Sequence, residues 1–125
     1  MAKAVLIADD SYSVRRALRE AFARESDFEV CAEAHDGRDA IEKALRLRPD
    51  LIVLDLLMPD MNGLDAARDF KKRMPSVPII LFAFYVDLFV KEAALSSGVS
   101  DVVSKSEDVS VLITKARSLL YRNAA

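Results

Sequence analysis

The chain has 125 residues, 52 % of them hydrophobic, and a formal net charge of −2 from 18 basic and 20 acidic side chains. That is the length of one domain with one core, too apolar for disorder and too evenly charged for the basic footprint of a nucleic-acid-binding domain. The single cysteine, Cys31, excludes an intramolecular disulfide, and its apolar neighbours Val30 and Ala32 predict a small buried hydrophobe rather than a reactive thiol.

Met1-Ala2-Lys3 leads directly into a first strand, Ala4 to Ala8. That run is too short for a signal sequence or a membrane span, so a cytoplasmic chain without membrane contact is expected. Asp9 and Asp10 end the strand. Val14, Leu18, Ala21 and Phe22 then share one face of a helix that also carries Arg15 and Arg16. A second strand spans Phe28 to Ala34, and a second helix carries Ile41, Ala44 and Leu45 before Pro49 stops it. The third strand, Leu51 to Leu54, runs into Asp55 and the turn segment "MPDMNG". Leu64, Ala67, Phe70 and Met74 mark a third helix, closed by Pro75 and Pro78. The fourth strand is expected over Val77 to Ala83. A weaker helix follows with Val90, Ala93, Ala94 and Ser97, ending at Gly98. Asp101 to Val103 reads as the fifth strand, Lys105 comes just after it, and Ile113, Ala116 and Leu120 define the last helix. Five short apolar runs alternating with five amphipathic ones predict an α/β fold, a (βα)5 doubly wound parallel sheet with helices on both faces.

Ligands and chemistry in such sheets collect at the carboxyl ends of the strands. Asp9, Asp10, Asp55 and Lys105 all fall there. Three carboxylates at one rim raise one another's pKa unless a cation shares the space, and a hard divalent ion such as Mg²⁺ suits oxygen donors. One carboxylate acting as nucleophile, a metal and a lysine together supply the needs of phosphoryl transfer. Taken singly each residue has an ordinary reading. Asp9, Asp10 or Ser11 would cap the first helix, Asp60 and Asn62 would shape a turn before Gly63, and Lys105 would be a solvated lysine.

The acids "ADD" at 8–10, "LDLLMPDMNGLD" at 54–65 and "SK" at 104–105 resemble the receiver domains of bacterial two-component response regulators, over essentially the whole chain. The resemblance implies a flavodoxin-like, CheY-like five-stranded sheet in the order 2-1-3-4-5 and a single receiver domain over 1–125, with no effector domain in this chain. It implies that Asp55 is the phosphoacceptor. Asp10, Asp55 and the main-chain carbonyl of Leu57 would bind Mg²⁺, Asp9 would reach the ion through water, and Lys105 would pair with the phosphoryl group. The implied donor is a sensor histidine kinase or a histidine phosphotransfer protein; Arg15 and Arg16 on the first helix read equally well as a docking contact for it or as a solvated helix face.

Two switch positions depart from that family. Ala83 stands where the family usually has Thr or Ser, Val102 stands where an aromatic usually swings inward, and Ser106 rather than Pro follows Lys105. A hydrogen bond lost to a charged group costs about 1.5–3 kcal/mol, which weakens switching without removing nucleophile or metal. Tyr85 is close enough in sequence to supply a hydroxyl instead. The segment "FAFYVDLFV" at 82–90 is too apolar for every side chain to face inward. Phe82 and Val90 are expected in the core, and Tyr85, Leu88 and Phe89 at a contact with a second copy or a downstream protein on the fourth- and fifth-helix face. The rival reading is a docking module of the same fold that takes no phosphate. A cofactor-binding flavodoxin-like protein is disfavoured because acids replace the phosphate loop after strand one. An aspartate-dependent phosphatase is disfavoured because Leu57 stands where its second aspartate would be.

Overall fold

The computed structural model describes residues 1–121; residues 122–125 of the expected domain lie outside them. The chain alternates strand and helix throughout: β1 Lys3–Ala8, α1 Tyr12–Ala23, β2 Phe28–Ala34, α2 Gly37–Leu47, β3 Leu51–Leu54, α3 Gly63–Arg73, β4 Ile79–Ala83, α4 Leu88–Ser96, β5 Asp101–Ser104 and α5 Val109–Tyr121. All strand pairs are parallel, in the order β2-β1-β3-β4-β5. Period-two alternation sorts the strand residues onto two cores. Leu6, Ile52, Leu54, Ile79 and Leu81 face α2, α3 and α4, where Ala44, Ala67 and Phe70 meet them. Val5, Ile7, Leu51, Val53 and Ile80 face α1 and α5, where Phe22, Leu18 and Leu112 meet them. Strands covered on both faces need the near-continuous apolar runs this sequence has.

Local chemistry sets the element ends. Ser11 caps α1 by accepting the Val14 N–H, Asp36 caps α2, Asn62 caps α3 through the N–H groups of Leu64 and Asp65, and Asp87 caps α4. β4 begins at Ile79 rather than at Val77. Pro78 has no N–H to offer a ladder, its carbonyl accepts from Ile52, and the Ile79 N–H is taken by the Ser100 hydroxyl. Cys31 is half-buried, less enclosed than expected. β2 is an edge strand, and its register slips past Cys31, with Val5 opposite Val30 and Leu6 opposite Ala32. Burial still pushes the Cys31 thiol pKa up, so it is poorly ionised. Phe82 is buried as expected, while Val90 is only partly so.

Candidate functional site

β1 and β3 are central neighbours in the sheet, which brings their carboxyl ends side by side. Asp55 directly follows β3, and its N–H donates to the Ala8 carbonyl at 2.9 Å, fixing the β3 end to the β1 end. Carboxylate oxygens of Asp9, Asp10 and Asp55 all lie within 4.8 Å of one another. Asp9 and Asp55 are buried, at 2 % and 6 % exposure, and Asp10 is exposed.

Lys105 completes the group. Its N–H donates to the Ala83 carbonyl at 2.8 Å, which ties the β5–α5 connection to the end of β4. The side chain, 7 % exposed, places Nζ 2.7 Å from Asp9 and 3.0 Å from Asp55. Burial acts against the ammonium, but the two carboxylates outweigh it and raise its pKa. The Asp55 pKa is also raised, by burial first and then by the Asp9 charge, with Lys105 opposing. The two shifts are consistent, because one ammonium is divided between carboxylates that also repel each other. Three acids and one lysine leave a shortage of positive charge among hard oxygen donors. The donor set therefore fits a divalent cation of the Mg²⁺ type.

Asp9 is held from several sides. One oxygen accepts the Ser11 N–H at 2.9 Å while the other meets Lys105, and its main-chain carbonyl accepts from Arg15 Nη1 at 2.7 Å. Arg15 also pairs with Glu33 and its side chain is only 16 % exposed, so it braces the site from within rather than standing free for docking. Arg16 is exposed and pairs with Glu20. Nothing in the spacing of Arg15 and Glu33 announces this clamp, since the two meet only when β2 lies beside β1.

The acids open into a cavity of about 520 Å³ walled by Ser11, Leu57, Ala83, Phe84 and Tyr85 among others. Ala83 is buried and offers only a methyl group there. Leu57 and Tyr85 are 74 % and 73 % exposed at the mouth. Val102 is not at the cavity; it packs in the core shared with α4. Leu88 and Phe89, 71 % and 78 % exposed, lie at the start of α4, apart from the acids. The Lys105–Ser106 peptide is trans, like all others among the described residues. Gly63 closes the turn after Asp55, its N–H donating to the Leu56 carbonyl at 2.7 Å.

The geometry agrees with comparisons to known proteins. The model of the response regulator receiver domain family matches residues 5–117. The chain is 39 % identical over 119 residues to the response regulator protein VraR of Staphylococcus saprophyticus, covering 95 % of this chain and 56 % of that protein. It is 42 % identical over 118 residues to a protein-glutamate methylesterase/protein-glutamine glutaminase of Paramagnetospirillum magneticum, covering 90 % of this chain and 33 % of that enzyme. The chain thus spans about half the length, or less, of these curated relatives. Among solved structures, the response regulator domain of Thermotoga maritima CheB superposes with a TM-score of 0.90 at 28 % identity, over 96 % of this chain and 97 % of that one. A LuxR-family response regulator from Aurantimonas superposes with a TM-score of 0.93 at 26 % identity, over 98 % and 87 %. The chain belongs to the response regulator receiver domain family of two-component signalling systems.

Proposed function

We propose that the chain accepts a phosphoryl group on Asp55 from the phosphohistidine of a sensor histidine kinase or a histidine phosphotransfer protein. The observation that carries this is a buried carboxylate at the end of β3 with an ammonium 3.0 Å away and two further carboxylates beside it. An Asp55 oxygen attacks phosphorus, a P–O bond forms as the P–N bond breaks, and the leaving imidazole takes up one proton. Lys105 faces the negative charge that develops on the phosphoryl oxygens. Asp10, Asp55 and the Leu57 carbonyl would hold Mg²⁺ directly and Asp9 through water, the ion adding positive charge where carboxylates and phosphoryl oxygens crowd. Asp9 in addition anchors Lys105, and Arg15 anchors Asp9. With a methyl group at Ala83 and a short branched side chain at Val102, the output step differs from the family's usual hydroxyl and aromatic relay.

Incubation with acetyl phosphate and Mg²⁺ should add one phosphoryl group to the intact mass, and chelation with EDTA should prevent it. An unchanged mass with this donor and with a phosphorylated histidine phosphotransfer protein, under conditions where Mg²⁺ binding is measured directly, would sink the proposal. It would favour a docking module that takes no phosphate.

The exposed run of Tyr85, Leu88 and Phe89 supports a contact with a second copy or a downstream protein, because large apolar groups exposed together mark interfaces. Sedimentation equilibrium with and without the phosphodonor is expected to show self-association that Phe89→Ala weakens about tenfold, an effect within the range of a buried aromatic anchor. A strict monomer under both conditions removes the second copy as the partner.

A further inference from the structure

Among the described residues Lys105 is the one cation lining the acceptor cavity, and two aromatic rings face it. Its Nζ lies 5.9 Å from the Phe82 ring centroid and 5.1 Å from that of Phe84. Phe82 is a buried floor. Phe84 is 72 % exposed, on the β4–α4 connection, and stands between the acceptor cavity and an apolar hollow of about 250 Å³ lined by Val14, Leu18, Phe82 and Val109. Both spaces have Lys105 in their walls. A ring that leaves most of its surface in water gains little from burial, which gives its contact with the ammonium relative weight.

We infer that Phe84 is a positioning residue, holding the Lys105 ammonium toward the incoming phosphoryl group through its ring face. This rests on the phosphoacceptor reading of Asp55. Asp9, at 2.7 Å, pulls the ammonium toward the buried floor of the site, while Asp55 at 3.0 Å pulls it toward the acceptor oxygen. When the Asp55 oxygen becomes part of an acyl phosphate, its own charge is lost and Lys105 must follow the phosphoryl oxygens outward. The negative face of the Phe84 ring offsets the inward pull of Asp9 throughout that change. Ala83 adds no donor at this rim, so the phosphoryl group depends more heavily on where Lys105 sits.

Phe84→Tyr, Phe84→Leu and Phe84→Ala separate ring face from bulk. Single-turnover uptake from acetyl phosphate with Mg²⁺ is expected to slow about tenfold in Phe84→Ala and Phe84→Leu, within the span of a partly desolvated cation–π contact, and to stay at the parental rate in Phe84→Tyr. The nitrogen-15 resonance of the Lys105 ammonium should be protected from exchange with water in the parent and Phe84→Tyr, and broadened in the other two. Melting curves should stay together, since the ring is exposed. Parental uptake in Phe84→Leu, or in Phe84→Ala, overturns the inference. A parent that takes up no phosphoryl group overturns the acceptor reading instead, and the ammonium resonance then decides the ring contact by itself.

Discussion

Replacing Asp55 by asparagine is expected to abolish phosphoryl uptake and, in the presence of a chelator, to raise the melting temperature by about 4 °C, equivalent to about 1 kcal/mol in a domain of this size. The two effects share one cause. Asp55 is buried beside Asp9, and its pKa is raised by that burial and that charge more than Lys105 lowers it. A carboxyl whose folded pKa lies above its unfolded value contributes stability below the unfolded pKa, and that contribution is lost as pH rises through the folded one. At neutral pH the ionised group therefore works against the metal-free fold. Asparagine is neutral at every pH, keeps the shape, and leaves Lys105 paired with Asp9. The stability gap should accordingly narrow as pH falls into the range where Asp55 is protonated. Added Mg²⁺ should reverse the order. The parent gains about 2.7 kcal/mol when the ion is a hundredfold above its dissociation constant, and Asp55→Asn, with one carboxylate fewer, gains less. An Asp55→Asn protein that melts below the parent in EDTA would show that the Lys105 pairing outweighs the crowding of acids.

The same crowding makes the grouping of Asp9, Asp10, Asp55 and Lys105 legible in the sequence. An aspartate at the end of an apolar run has few structural uses, and Asp9 and Asp55 each follow such a run directly, with Asp10 and Lys105 each two residues past the end of one. Strands covered on both faces read as continuous Val, Ile and Leu, so the predicted β1, β3 and β5 lie within a residue of the observed ones. The strand order came from the resemblance, because periodicity sorts residues by face and says nothing about which strand lies beside which. Contacts across distant segments were hidden for the same reason. The Arg15 clamp on the Asp9 carbonyl needs β2 to supply Glu33, and the ring of Phe84 meets Lys105 only after β4 and β5 pair. Cys31 is less enclosed than its apolar neighbours predict, because a run of apolar letters does not reveal a register slip at an edge strand. That Asp9 rather than Asp10 is the buried acid follows from alternation: Asp9 continues the β1 pleat beside the chain's turn, and Ser11 then caps α1.

Gly63→Ala tests the turn that holds Asp55, and propensity alone gives it the wrong sign. Gly63 is the first residue of α3, where alanine would be favoured over glycine by about 0.5–1 kcal/mol on backbone entropy. A Cβ there, however, would lie 2.2 Å from the Asp55 carbonyl oxygen and 3.0 Å from both the Asp55 carbonyl carbon and the Leu56 Cα. All three are backbone atoms. None can swing aside, because the Asp55 N–H is bound to β1 through the Ala8 carbonyl and the Gly63 N–H to the Leu56 carbonyl. Relief requires α3 and the end of β3 to separate by about 1 Å, and overpacking of this kind costs about 1–3 kcal/mol. Such a shift also displaces the acceptor carboxylate from Lys105, where a misplacement of about 1 Å lowers a rate about a hundredfold. The expected outcome is a melting temperature lower by about 8 °C and phosphoryl uptake slowed by about two orders of magnitude. Gly37→Ala is the matched control, since Gly37 also opens a helix after an Asx cap but the three atoms nearest an added Cβ all belong to the side chain of Met61, at 3.0 to 3.1 Å. Met61 has rotatable bonds with which to yield, so the loss there should stay below about 1 kcal/mol and uptake should remain parental. If Gly63→Ala melts and reacts like the parent while Gly37→Ala does not, the close approach of α3 to the Asp55 peptide is not what fixes the acceptor.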